Sequence, residues 1–363
     1  MKLLILSAPG GSGHILIGQA FCQQANDLGH NAIHINCIDF FTQTAAQSLF
    51  FDSYDTVVTR TPRIWKMIYT LTDNYFTLLL LQHTLFRIWI WWYKKEITAL
   101  IQHIHTLTPD HIIITHPAIT YLLLGTQTPL HVIVTDYTVN KLWTHPSICT
   151  YFIAHDQMKK KIQSLYPSAQ CLETGIPVRP CFYTTQRNNT NKYIKIPTYQ
   201  GPVILFLTGG HGLADPTELI HALFVDQSPK TIFVICGKNQ SLEKKLRRLI
   251  VPNHISYHCI GWVDTIDTYM RIATCIVTKP GGSTISECVA LQKPMLLYQP
   301  IPGQEEENAH YTIQHNLAKH TTPSTISNDI NTIPQWYVPQ EIKNASKLIL
   351  EALSRSDTSS LLQ

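Results

Sequence analysis

Charge is scarce in this chain. Asp, Glu, Lys and Arg make up 14% of its 363 residues, against about a quarter in an average soluble protein. The few charges are also evenly spread: 28 Lys and Arg face 24 Asp and Glu, a net +4. Residues 1–180 hold 12 basic and 10 acidic groups, and the remainder 16 and 14. Neither half is a basic arm, so nucleic acid is excluded as a partner. The nine cysteines are odd in number and form no C-x-x-C pair. That argues against a disulfide framework or a zinc ribbon and sets a reducing compartment as the default. The 18 histidines are scattered; His30 and His34 lie four apart, but on an alternating strand-like segment rather than a helix, so no metal site is expected. No run of 18 uncharged apolar residues occurs, so no transmembrane helix is expected. Met1–Ala8 reads as a strand followed at once by glycines, without the apolar region or cleavage signature of a signal peptide. Low-complexity tracts and short repeats are missing too.

What the chain does have is length and alternation. Its size permits two domains with full cores, and 44% hydrophobic residues with a mean hydropathy of −0.01 give a globular composition with an apolar bias. Strand-like runs alternate with helical patterns, as parallel sheets with right-handed crossovers require. The first series is Leu3–Ser7, Ala32–Ile38, His111–Thr115, His131–Thr135, Tyr151–Ala154 and Cys171–Thr174. The second is Val203–Thr208, Thr231–Cys236, Ile255–Ile260, Cys275–Thr278 and Met295–Tyr298. Two series predict two Rossmann-like α/β domains, 1–185 and 203–339, joined by the polar linker 186–202. A last helix is predicted near 340–354, before a frayed tail.

The most telling segment is Val277–Ala309, VTKPGGSTISECVALQKPMLLYQPIPGQEEENA. Its first turn holds Gly281, Gly282, Ser283 and Thr284 ahead of a helix. Bare backbone N–H groups and the positive end of a helix dipole there suit an anion. Glu287, one turn into that helix, suits the two hydroxyls of a ribose. The polar loop Gly303–Asn308 offers Gln304 and Glu305 to sugar hydroxyls. An ordinary glycine turn with a capping box built from Ser283 or Thr284 and Glu287 also fits the first turn taken alone. At the N-terminus, Gly10, Gly11 and Gly13 precede His14. The dinucleotide fingerprint G-x-G-x-x-G fails here, because its third glycine falls on Leu16 when counted from Gly11.

Together K-P-G-G-x-T-x-x-E, P-x-P-G-Q-E-x-E-N-A and the G-G-x-G-H loop resemble glycosyltransferase family 28. Within it the chain is most similar to the bacterial processive diacylglycerol glucosyltransferases and the monogalactosyldiacylglycerol synthases. The resemblance runs from about Leu3 to Leu317. It implies a GT-B architecture: two Rossmann-like domains whose parallel sheets face a deep interdomain cleft, with the last helix crossing back to the first domain. It also implies an inverting transfer of a hexose, glucose rather than galactose, from a UDP-sugar to the hydroxyl of diacylglycerol or glycosyl-diacylglycerol. The donor is a substrate, and no cofactor or metal is called for, since backbone N–H groups and a helix dipole stabilise the leaving diphosphate.

Residue by residue, the resemblance makes His14 the base for the acceptor hydroxyl. Asp136, at the end of a strand, either orients His14 or the acceptor, acts as the base itself, or only caps a turn. Gly11 and Gly13 help hold the diphosphate, as do Gly210 and His211 in the TGGHG turn. Gly237 borders the nucleotide, and Trp262 and Val263 lie in the uracil loop, where Trp262 is equally readable as core packing. His116 and His145 read as packing residues, and Arg179 is a weaker phosphate candidate. An acceptor other than diacylglycerol, prenyl-linked or sterol, remains open, as does a non-catalytic binding subunit.

Pro62–Lys95, PRIWKMIYTLTDNYFTLLLLQHTLFRIWIWWYKK, carries nine aromatic residues and a local charge of +4. Trp65, Arg87, Trp89, Trp91 and Trp92 are its candidate membrane or acceptor contacts. Aromatic–basic helices of this kind settle in the headgroup layer of an anionic membrane. A soluble core built on Leu78–Leu81 and an interrupted transmembrane hairpin are the competing readings. The expected location is peripheral, on the cytoplasmic side of the cell membrane.

Overall fold

The computed structural model describes residues 1–41, 61–74, 77, 84–123, 125–184 and 201–360. Residues 186–200 of the expected linker, and 75, 76 and 78–83 of the aromatic stretch, lie outside the described residues. The chain divides into two compact units. One comprises Met1–Pro180, Pro302–Gln304 and Lys343–Gln363; the other comprises Cys181–Ile301 and Glu305–Ile342.

In the first unit, six strands form one parallel sheet: β1 Lys2–Ser7, β2 Asn31–Asn36, β3 His111–Ile114, β4 Leu130–Ile133, β5 Ile148–Ile153 and β6 Gln170–Glu173. Their spatial order is β2-β1-β3-β4-β5-β6. The central strands are buried along almost their whole length, as a sheet covered on both faces demands. Alternate residues serve opposite faces. Leu4, Leu6, Ile112, Ile114 and Val132 pack with Leu100 and Ile104 of the helix Lys94–Leu107. Leu3, Ile5, Ile113 and Ile133 pack with Ile17 and Phe21 of the helix Gly13–Asp27, and with Ile349, Leu350 and Leu353 of the helix Ala345–Ser360. That last helix begins at Ala345, five residues beyond the predicted start, where the Asn344 side chain accepts from the Lys347 N–H at 3.1 Å and caps it.

The second unit repeats the plan with β7 Val203–Leu207, β8 Lys230–Ile235, β9 Ile255–Ile260, β10 Cys275–Thr278, β11 Met295–Leu297 and β12 Ala318–His320. All pairings are parallel, in the order β12-β11-β10-β7-β8-β9. The sequence analysis did not anticipate β12: three residues, Ala-Lys-His, carry no apolar run, and only pairing with β11 makes them a strand.

Both sheets share a topological feature. In the first, the chain runs from β1 outward to β2 and returns on the other side of β1 as β3; in the second, β7 leads to β8 and β9 before β10 returns beside β7. At such switch points the loops beyond the two strand ends diverge and leave a crevice at the carboxyl edge of the sheet.

The terminal helix supplies three fully buried side chains to the first unit's core. Leu353→Ala is therefore expected to cost about 2–5 kcal/mol, read from the urea midpoint. A loss under about 1 kcal/mol would show that the helix does not belong to the cooperative core.

Candidate active site

The switch point of the first sheet holds the predicted base. The loop after β1 turns at Gly11, whose φ of +87° suits glycine alone, and Gly13 opens the helix that carries His14. A Cβ on Gly10 would lie 2.8 Å from His116 Nε2 and 3.3 Å from His14 Cδ2, so that position also requires glycine. His14 is 8% exposed. Its Nδ1 lies 2.7 Å from the carbonyl of Thr115, just past β3, and 2.9 Å from the hydroxyl of Thr135, just past β4. A carbonyl only accepts, so Nδ1 carries the proton of the neutral ring and Nε2 keeps its lone pair. The ring is further fixed edge-on to His116, with centroids 4.7 Å apart, and tilted against Trp143 at 5.9 Å.

A hydroxyl ladder supports this geometry. Thr115 Oγ1 donates to the His14 carbonyl at 3.0 Å, Ser7 Oγ lies 2.7 Å from Thr115 Oγ1, and His34 Nε2 lies 2.8 Å from Ser7 Oγ. Burial lowers the His14 pKa below its ordinary value, opposed by the negative charge of Asp136 and the bond to Thr115. His116 is held well below the usual range by burial and by His14. Asp136 is buried and accepts from Gln304 Nε2, both residues belonging to the first unit. Its negative charge favours the imidazolium form of His14. Gly303, with a φ of +88°, is covered by Tyr69 of the helix Pro62–Thr72, where a Cβ would meet the ring at 2.7 Å.

The switch point of the second sheet gathers most of the predicted donor residues. The helix after β10 runs Gly282–Ala290 with Gly281 as its N-cap and no side-chain cap. Ser283 and Thr284 therefore sit in the first helical turn, and the capping-box alternative is not what the chain adopts. Gly281 has no side chain and its N–H bonds the Lys279 carbonyl at 2.9 Å, a tight turn just ahead of the helix. Glu287 lies in the second turn, half-buried. The segment read as a polar loop is largely helix: Gln304–Gln314 is helical, so Glu305 to Asn308 form its first turns. Asn308 is fully buried and donates to the Pro280 carbonyl at 3.1 Å, tying that helix to the glycine turn. Glu305 accepts from the Ile301 N–H at 2.7 Å and pairs with Lys279 Nζ at 3.3 Å.

Beside them lies the turn after β7. Gly209 (φ +86°) and Gly212 (φ +63°) bracket Gly210 and the exposed His211. The Gly210 carbonyl accepts from Lys238 N at 3.0 Å, and a Cβ on Gly237 would strike the carbonyls of Gly209 and Gly210 at 2.5 Å. Gly237 is thus required by backbone packing. Trp262 is 49% exposed, which rules out the core-packing reading. Its Nε1 donates to Asp264 at 2.9 Å, and Lys238 Nζ stands 5.1 Å from its ring. Val263 follows it in the loop ahead of the helix Ile266–Ile272. Sequence reasoning missed Thr115 and Thr135; threonines ending adjacent inner strands were the available signal. It also passed over Lys279 within its own motif.

The aromatic stretch presents a different surface. Helix Pro62–Thr72 exposes Ile64, Met67, Ile68 and Leu71, an i, i+3, i+4, i+7 stripe flanked by exposed Arg63 and Lys66. Trp65 and Tyr69 face the other way and are half-buried. In the helix Leu85–Trp92, Trp91 is 75% and Trp92 74% exposed, beside exposed Arg87 and Ile88. The Trp89 side chain lies outside the described residues. No helix among the described residues is long and apolar enough to cross a membrane.

Two Rossmann-like units with parallel sheets, a buried histidine at one switch point and glycine turns at the other, have the architecture of a GT-B glycosyltransferase. Solved structures share the fold: MurG of Acinetobacter baumannii has a TM-score of 0.58 at 14% identity, covering 98% of this chain and 100% of that one. The Neisseria meningitidis UDP-GlcNAc 2-epimerase bound to UDP-GlcNAc has a TM-score of 0.60 at 14% identity, with the same coverage. In sequence, residues 17–178 match the family model of monogalactosyldiacylglycerol (MGDG) synthase, and 203–330 that of the glycosyltransferase family 28 C-terminal domain. A processive diacylglycerol beta-glucosyltransferase from Bacillus cytotoxicus is 32% identical over 325 residues, spanning 85% of this chain and 79% of the relative. The chain belongs to glycosyltransferase family 28, in its diacylglycerol-glycosylating branch.

Because burial favours neutral His14, its neutral form persists below pH 6.5. The acid limb of kcat/KM is expected to fall below that value. Thr135→Val, which deletes one of the two groups on Nδ1, is expected to lower kcat roughly tenfold, about 1.4 kcal/mol. An acid limb above pH 6.5 would contradict the burial argument.

Proposed function

We propose that this chain is an inverting hexosyltransferase that moves glucose from UDP-glucose to the free hydroxyl of diacylglycerol and makes a β-glycosyl lipid. The carrying observation is the orientation of His14: Nδ1 is committed to Thr115, so Nε2 is the free basic nitrogen. The relatives' activity on diacylglycerol and their glucosyl transfer support the same substrates.

In this reading the second unit holds the donor. The uracil lies at Gly261–Val263, the diphosphate over the turn Gly281–Thr284, and the ribose hydroxyls on Glu287. Gly210 and His211 flank the diphosphate. The acceptor oxygen forms a bond to the anomeric carbon as the bond from that carbon to the β-phosphate oxygen breaks. The electron pair leaves on UDP, and the acceptor proton passes to His14 Nε2. Attack on the face opposite UDP inverts the configuration. Asp136 stabilises the resulting imidazolium, and backbone N–H groups with the helix dipole stabilise the departing diphosphate.

The acceptor never leaves the bilayer, so the enzyme must come to it. The exposed stripe of the helix Pro62–Thr72 and the exposed Trp91 and Trp92 support peripheral binding to an anionic membrane surface, on the cytoplasmic side where UDP-sugars are made. Cations near such a surface contribute about 1 kcal/mol each.

Purified protein with diacylglycerol liposomes and labelled UDP-glucose should give a labelled lipid, and UDP-galactose a weaker product. His14→Ala should abolish turnover while UDP affinity changes by no more than about threefold, or roughly 0.7 kcal/mol. Intact UDP binding with no lipid product from either donor would instead favour a non-catalytic binding subunit. A fall in UDP affinity as large as the fall in activity would remove His14 as base.

Membrane binding has its own check. Replacing Trp91 and Trp92 together by Ser should sharply reduce co-sedimentation with anionic liposomes. Co-sedimentation indifferent to the double change would remove these residues from the interface.

A further inference from the structure

Among the described residues at the second sheet's switch point is a largely buried cation that the reading above leaves idle. Lys279 is the first residue beyond β10, and β10 is the strand that returns beside β7. Its side chain is only 11% exposed, and that of its partner Glu305 is 12% exposed. Lys279 Cε stands 3.9 Å from where a Cβ on Gly209 would sit, and Glu305 Oε1 stands 4.0 Å from where a Cβ on Gly281 would sit. The ion pair therefore lies against both glycine turns, one after β7 and one after β10. Burying a lysine is costly unless it is paired. A core lysine serving packing alone is better replaced by an apolar residue, whereas a lysine at the carboxyl edge of a parallel sheet meets whatever ligand fills the crevice.

We infer that Lys279 is a donor-binding residue: its ammonium contacts the diphosphate of the UDP-sugar and offsets the charge that develops on the leaving β-phosphate. Glu305 acts in this scheme as a positioning residue. One of its oxygens is held by the Ile301 N–H and the other aims Lys279. In the free protein the pair is neutral; an arriving diphosphate gives the lysine a second, more highly charged partner. The assignment rests on the donor site proposed above.

The test is titration calorimetry of UDP and UMP against the full chain at several salt concentrations. Lys279→Met is expected to weaken UDP at least about tenfold and UMP less than about threefold, because only UDP carries the second phosphate. It should also flatten the dependence of UDP affinity on ionic strength. Lys279→Arg should restore most of the UDP affinity. The double variant Lys279→Met with Glu305→Gln leaves no unpaired buried carboxylate and should bind UDP as weakly as the single one. Equal losses for UDP and UMP with an unchanged salt dependence would overturn the assignment, as would recovery of UDP affinity in the double variant. Failure of the unmodified chain to bind UDP would instead overturn the donor site itself, and the lysine's role with it.

Discussion

A parallel strand whose neighbours lead to opposite sides of the sheet leaves a gap at its carboxyl end, and the His14 cluster and the glycine turns of the second unit both sit at such gaps. The strands beyond β1 and β7 are reached in opposite directions, so no crossover covers the crevice. Loops there must turn sharply without side chains. Gly11, Gly209 and Gly212 take positive φ values, while Gly10 and Gly237 lie too close to neighbouring atoms to carry a Cβ. Glycine at these positions serves geometry first; open backbone toward a ligand is the consequence.

Around those turns, burial sets the chemistry. At the first switch point it keeps His14 neutral, and Thr115 decides which nitrogen is free. Asp136 opposes burial only in part, so the ring rests neutral beside a carboxylate that favours its charged form. At the second, the same low polarity makes an unpaired cation untenable, so Lys279 is held by Glu305. A neutral imidazole in one crevice and a balanced ion pair in the other are two answers to one cost: charge is expensive away from water.

The helix Pro62–Thr72 departs from the usual logic of a globular surface. Its apolar stripe at Ile64, Met67, Ile68 and Leu71 normally faces a core, yet here, among the described residues, it faces outward with basic neighbours. Asp73 ties its end to the first unit through the Lys141 N–H at 3.0 Å and Lys161 Nζ at 3.1 Å. The helix is thus fixed from its polar end while its apolar side stays available, which suits an enzyme whose acceptor is dissolved in a bilayer.

Much of this was legible in the residues. Eleven strands announced themselves, the inner ones because a strand buried on both faces must be a continuous apolar run, and the glycine turns and their following helices were spelled out by residues that permit little else. β12 was not legible, since Ala-Lys-His becomes a strand only by pairing with β11. Nor was the helical state of Glu305 to Asn308, where polar composition suggested a loop and the buried bond from Asn308 to Pro280 decided otherwise. Local sequence determined the sheets and the turns, including the glycine loop that carries His14, because short-range sterics and hydrophobic pattern specify those. Which nitrogen of His14 is free, that Trp262 stands exposed, and that Lys279 is paired to Glu305 were decided only by tertiary structure. Each depends on partners far apart in the chain, brought together when strands of separate βα units align.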